Sequence, residues 1–272
     1  MVDDSLDVTD GFERTGSLPA ASVLGVRINP LNEDSVASWI DERIAEGRGG
    51  AAVVVQTNVH SLVTAREDPE YRQALAAAEL AVPDGMPLVW HLRAQGYRSQ
   101  ERVYGPDLMN RCAALASQRG WRCFLYGSTS DVVSAAAETL RMNFPHISIV
   151  GTCSPPFRPL TPAEETSVHE LINTARPNLL WVALGGPKQD LWMIRNRDRL
   201  RVDVMHGVGA AFDFLAGTVT QAPPWMQHAG LEWFFRLIVE PGRLWRRYTL
   251  GNIRFVVYLL HDLLVRKRGG AE

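Results

Sequence analysis

An α/β fold with a mostly parallel sheet flanked by helices is predicted by two features of this 272-residue sequence. Six short apolar or β-branched runs recur along it, each closed by Gly, Asn, Asp or Thr, and the stretches between them are longer and amphipathic. A strand buried on both faces reads as a continuous apolar run, and such runs separated by helices are the pattern of a parallel sheet. A third observation, the end of all strand signals near Gln221, predicts a helical appendage beyond the sheet.

The start, MVDDSLDVTDGFERTGSLP, is acidic and broken by Gly, Ser and Pro. It lacks the basic and apolar regions of a secretory signal, so residues 1–22 are read as a mobile tail. A helix follows over EDSVASWIDERIAEG, where Val36, Trp39, Ile40 and Ile44 recur at helical spacing. AAVVVQTN and ELAVPDG then read as strands, and GPDLMNRCAALASQRG as a helix with Pro106 suited to its first turn. RCFLYGS, HISIVGT, NLLWVALGG and VDVMHGVG supply four more strands and complete an α/β domain over residues 23–220.

Residues 221–272 differ in character. Arg236, Arg243, Arg246, Arg247, Arg254, Arg266, Lys267 and Arg268 outnumber Glu232, Glu240 and Asp262, and Trp225, Trp233, Phe234, Phe235, Trp245 and Tyr248 interleave with them. A solvated helical face is the plain reading, but basic and aromatic residues mixed in this way suit interfacial helices on anionic lipid. Spaced seven and then three apart, Arg236, Arg243 and Arg246 fall near one face of a continuous helix, with Pro241 and Gly242 as its one interruption.

Composition excludes several classes. Hydrophobic residues at 46% and charged residues at 21% signal neither disorder nor a bilayer-filling bundle, and a net charge of −2 argues against a dedicated nucleic-acid binder. The most apolar stretch, FVVYLL, is closed by His261 and Asp262 and is too short to span a bilayer. Cys112, Cys123 and Cys153 are odd in number and unclustered, as reduced packing thiols in a cytoplasm would be. The seven histidines show no metal-ligand spacing, and His60 and His206 are read as structural.

Ligands of open parallel sheets bind outside the carboxyl ends of the strands, where backbone N–H groups and helix N-termini converge. Those exits carry Thr57 and Asn58, Asp84 and Gly85, Gly127 and Ser128, Gly185 through Gln189, and Gly207 through Asp213. No P-loop, H-E-x-x-H, G-x-S-x-G or C-x-x-C occurs, and GVGAAF is a defective dinucleotide fingerprint, which counts against a nicotinamide oxidoreductase. Absence of D-x-D removes the usual seat for a divalent ion against a sugar-nucleotide diphosphate.

TNVHSL, VPDGMP, ERVYGPDL, LGGPKQDLW, GVGAAFDFLAG, QAPPWMQHAGLEWFFRL and EPGRLWRRY, in this order, resemble the WecG/TagA/CpsF glycosyltransferase family. The resemblance runs from about Gly25 to about Phe255. It implies a Rossmann-like core and an inverting, metal-independent transfer of a hexose from a UDP-sugar to a polyprenyl-diphosphate-linked sugar in cell-surface polymer synthesis. It places the family's base on Asp84, its functional threonine, arginine and glutamine on Thr57, Arg102 and Gln189, and the acceptor diphosphate and membrane on Arg236, Arg243 and Arg246. No cofactor is expected, the UDP-sugar being a substrate. The partners are that donor, the lipid-linked acceptor and the anionic inner face of the cell membrane; a homo-oligomer is compatible with the sequence.

The residue chemistry agrees. An inverting displacement needs a base for the acceptor hydroxyl and partners for the departing diphosphate. Asp84 before Gly85 can be that base, although PDG alone reads as a turn. Asn58, like Thr57, can bond a sugar or cap the next helix. Arg102 can fork onto phosphate, a pair with neighbouring Glu101 being awkward. Gln189 can reach the donor from a helix start, and Asp213 can accept from ribose or uracil or merely cap. The competing readings are a transferase with a soluble acceptor and a noncatalytic peripheral membrane assembly protein.

Overall fold

A computed structural model describes residues 18–47 and 49–269. Two antiparallel strands, β1 (Ala21–Val23) and β2 (Val26–Ile28), open the chain as a hairpin absent from the sequence reading. Helix α1 (Glu33–Glu46) follows, capped by Asn32, whose side chain accepts from Ser35 N–H. Next come β3 (Ala52–Thr57), α2 (Val59–Glu67), α3 (Pro69–Ala77), β4 (Leu80–Pro83), α4 (Met86–Ala94) and α5 (Gly105–Arg119). The second half of the domain alternates β5 (Arg122–Gly127), α6 (Ser130–Asn143), β6 (Ser148–Cys153), α7 (Pro162–Ala175), β7 (Leu179–Ala183), α8 (Lys188–Asn196), β8 (Val204–Gly207) and α9 (Ala211–Leu215).

All six predicted strands form one parallel sheet in the order β4-β3-β8-β7-β5-β6. Every residue of β3, β4, β7 and β8 is buried, which is why their sequences carry no alternation. One face packs on α1, α5, α6 and α9, around Ile40, Leu108, Leu140 and Phe212. The other packs on α2, α3, α4, α7 and α8, around Leu62, Leu75, Leu88, Ile172 and Met193. Strand β6 is a half-exposed edge. At the opposite edge, β4 is closed by buried Asn29, whose N–H donates to Ala81 O at 2.7 Å and whose Oδ1 accepts from Ala81 N–H at 3.0 Å.

Helices leave β3 and β7 toward one face, and β8 and β5 toward the other, so the chain diverges repeatedly along the carboxyl edge. Such switch points leave crevices. The strands approach closely here: at Gly127, with φ of +125°, an added Cβ would sit 2.3 Å from Ala183 O.

The appendage is several helices rather than the continuous one on which Arg236, Arg243 and Arg246 would share a face. Helix α10 (Pro224–His228) is followed by α11 (Glu232–Val239), which ends at Glu240, where the backbone leaves helical geometry at φ −129° and ψ 57°. Pro241 then starts α12 (Pro241–Trp245), which runs through a π-helical turn over Arg246–Leu250 into α13 (Gly251–Gly269). A proline has no N–H to continue the preceding ladder, so the break falls there. The side chain of Arg243, like those of Arg247 and residues 266–268, lies outside those described.

Helix α13 docks on α2. Phe255 is buried among the residues around Leu62, Tyr258 donates to Glu67 at 2.9 Å, and Arg66 pairs with Asp262 at 3.2 Å. Its opposite face exposes Ile253, Val256, Val257, Leu260 and Leu264, at helical spacing. Among the described residues no helix is long and apolar enough to cross a membrane.

Candidate active site

At the exits of β3 and β4 the chain builds the floor of a cleft. Asn58 begins α2 as its N-cap, its Oδ1 accepting from Ser61 N–H at 3.2 Å, and the same side chain lines the cleft, so it caps and faces the site at once. Thr57 lies beneath. It is fully buried, its carbonyl accepts the Asp84 N–H at 2.8 Å, and its Oγ1 has no hydrogen-bond partner among the described residues. Gly85, at φ of +130°, turns the chain from β4 into α4 in a conformation that side chains resist, and leaves Asp84 projecting at the strand end.

Arg102 reaches Asp84 from the segment before α5. Its Nε donates to Asp84 Oδ1 at 3.0 Å, and its Nη2 lies 2.9 Å from the same oxygen as an ion pair. Its Nη1 meets Glu232 Oε2 of α11 at 2.6 Å, and its guanidinium lies over the Tyr104 ring at 3.9 Å. Tyr104 donates to Glu232 Oε1 at 3.3 Å. The sequence places Arg102 on phosphate; in this structure its guanidinium meets two carboxylates, neither of them Glu101. Burial pushes the Asp84 carboxyl above the usual range; Arg102 pulls it down, and Glu232 adds to the rise.

The appendage roofs this floor. Arg236, one turn beyond Glu232, lines the cleft with Trp233, Tyr248 and Asn252, and it lies 3.7 Å from Glu240. Its Nε is buried with no hydrogen-bond partner among the described residues. Gly230 makes the approach: at φ of +71°, an added Cβ would lie 2.9 Å from the Trp90 ring. The cleft therefore unites Asn58, Asp84, Arg102 and Arg236 over buried Thr57. An oxygen nucleophile entering it would meet a carboxylate base, and an anion a guanidinium.

The other predicted residues stand elsewhere on the same edge. Gln189, buried at the start of α8, accepts from Gly209 N–H at 3.2 Å and so ties the β7 exit to the β8 exit. A Cβ at Gly207 would lie 2.8 Å from its Nε2, so a larger residue there would have to displace the Gln189 amide. Its neighbour Asp190 is buried and accepts from Tyr71 at 2.6 Å; burial pushes its carboxyl up to about 6. Asp213 is half-buried in α9. Arg246 is exposed, 5.3 Å from the Trp245 ring. A second cleft opens at the β5 and β7 exits, lined by Tyr126, Trp192, Phe157 and Lys188. His206 is fully buried: its Nε2 lies 3.1 Å from Gln56 Nε2, and burial drives it down to about 3, so the neutral form is favoured.

Residues 21–269 match the model of the Glycosyl transferase WecG/TagA/CpsF family. The chain belongs to that family. It is therefore a glycosyltransferase, and the cleft holding Asp84 is the candidate active site of a WecG/TagA/CpsF enzyme. A relative from Bacillus subtilis (strain 168), an N-acetylglucosaminyldiphosphoundecaprenol N-acetyl-beta-D-mannosaminyltransferase, is 32% identical over 209 residues, covering 77% of each chain.

Sequence reasoning missed two residues of this WecG/TagA/CpsF site, Glu232 and Tyr104. Glu232 was counted only as one of the appendage's few acids, and an acid in the first turn of a helix is ordinary. Its partner Arg102 is 130 positions away, a separation no local pattern reports.

Proposed function

We propose that this enzyme is an inverting, metal-independent transferase moving a hexose from a UDP-sugar to a polyprenyl-diphosphate-linked sugar, at the inner face of the cell membrane, in cell-surface polysaccharide or teichoic-acid-type polymer synthesis. The observation that carries it is a strand-end carboxylate, Asp84, in a cleft roofed by the guanidinium-bearing helix α11. The relative's substrates make N-acetylmannosamine the first donor to test, before its uronic acid, glucose and glucuronic acid.

The reaction is one displacement. The acceptor oxygen bonds to the anomeric carbon as the bond from that carbon to the UDP oxygen breaks, and the acceptor's proton passes to Asp84. The donor lies along the carboxyl edge, with Asn58, Gln189 and Asp213 as its binding partners. Arg236 and Arg243 receive the acceptor diphosphate. The outward apolar face of α13 and the basic residues of the appendage hold the enzyme on anionic lipid.

The test is incubation with a panel of UDP-sugars and prenyl-diphosphate-linked N-acetylglucosamine, products read by mass. A single new hexosyl adduct on the lipid supports the proposal. Transfer only to a soluble acceptor, or none, overturns it.

A further inference from the structure

We infer that Glu232, brought to the site by the appendage, is a positioning residue that shares the Arg102 guanidinium and thereby leaves Asp84 a stronger proton acceptor than a two-membered pair would. This rests on Asp84 being the base. The geometry supports it in two ways. A guanidinium facing one carboxylate prefers a side-on fork, with two parallel bonds to two oxygens, which ties up the whole anion. Here the fork is divided: Nη1 pairs with Glu232, and the two nitrogens facing Asp84, Nε by a hydrogen bond and Nη2 as an ion pair, converge on Oδ1 alone. No described side chain donates to Oδ2, which is left as the basic atom.

The charges around Asp84 point the same way. Arg102 and Arg236 favour its ionised form. Glu232 opposes them, and Tyr104, which burial keeps protonated, spends its proton on Glu232. His60 of α2 and Tyr248 of the π-helical turn also line the cleft, and Asp107 of α5 acts electrostatically on the same Arg102. Glu232 is the only carboxylate in direct contact with Arg102 besides Asp84 among the described residues. A base works best when its affinity for the proton is not suppressed, so this sharing raises the driving force of the transfer step. Because Glu232 belongs to α11, the full basicity of Asp84 exists only with the appendage docked.

The test compares pH profiles of transfer for the full-length wild type, Glu232→Gln and Glu232→Asp. Glutamine keeps the shape and removes the charge; aspartate keeps the charge and shortens the reach. The acid limb should move to lower pH in Glu232→Gln and stay near wild type in Glu232→Asp. The plateau rate of Glu232→Gln should fall by less than the ~10²–10⁴-fold that loss of the base itself costs. A 13C NMR titration of the Asp84 carboxyl, assigned by its loss in Asp84→Asn, should show the same downward move without relying on turnover. An unmoved limb and titration in Glu232→Gln, or an equal move in Glu232→Asp, overturns the inference. Full activity in Asp84→Asn would instead overturn the assignment of the base, and the two failures are distinct.

Discussion

The Tyr71 hydroxyl donates to Asp190 Oδ2 at 2.6 Å, joining α3 to the helix that begins with Gln189. Asp190 is buried, and its carboxyl is pushed up to about 6, so the neutral form is favoured in the folded chain. Its contribution to stability is therefore full below the ordinary carboxylate range and is lost as pH rises through about 6. Tyr71→Phe removes a bond that matters most to the ionised form. It should cost ~1.5–3 kcal/mol at pH 7.5, where the bond is to a charge, and ~0.5–1.5 kcal/mol at pH 4.5. Urea unfolding at the two pH values checks this, and equal costs would contradict it.

Asp84→Asn should keep the fold and donor binding while transfer falls by ~10²–10⁴-fold, the usual contribution of a general base. Thermal melting and donor titration alongside the rate separate this from misfolding. Near-normal turnover would remove Asp84 from the mechanism.

Excess chelator should leave the rate unchanged, because no D-x-D occurs and the guanidinium of Arg236 lines the cleft. Activity abolished by chelator and restored by magnesium or manganese would refute this.

The outward face of α13 should bind anionic vesicles. Charging it with Leu260→Glu and Leu264→Glu removes burial of ~1.5–3 kcal/mol per leucine, so vesicle affinity should drop at least ~10-fold. Turnover on a short-chain acceptor should persist. Binding should also weaken with salt, since juxtamembrane basic residues contribute about 1 kcal/mol each. A chain truncated before Gln221 that still sediments with liposomes and transfers at full rate would sink the membrane role of the appendage.

Gly127→Ala should destabilise the sheet by ~2–5 kcal/mol, combining backbone strain at positive φ with the overlap of a Cβ on Ala183 O. Denaturant midpoints measure it. A change below about 1 kcal/mol would show that β5 and β7 can part without cost.

The sheet was legible because strands buried on both faces, such as AVVVQT and LLWVA, leave their environment in every residue. The β1–β2 hairpin was not. Its strands are three residues each, and its turn places Leu24 and Gly25 at φ of 51° and 79°, a conformation usually signalled by Asn-Gly. At the site, Asn58, Asp84 and Gly85 stood out because strand ends are read from the strands themselves. The partners of Arg102 did not: a guanidinium's choice among carboxylates depends on distances fixed by tertiary packing. The helix break at Glu240 was visible in Pro241, and with it the separation of Arg236 from Arg246.

Residues 84 and 102 leave the ribosome well before residue 232, to which the second is joined. The six-stranded sheet is complete at Gly207, so its edge can form while the last helices are still being synthesised. The strand-end carboxylate Asp84 therefore takes its place before α11 brings Glu232 and Arg236 to the cleft. The roof of the cleft and the outward apolar face of α13 thus arrive together. Under the proposed function, a stalled chain ending at residue 220 should bind the UDP-sugar yet transfer nothing from it.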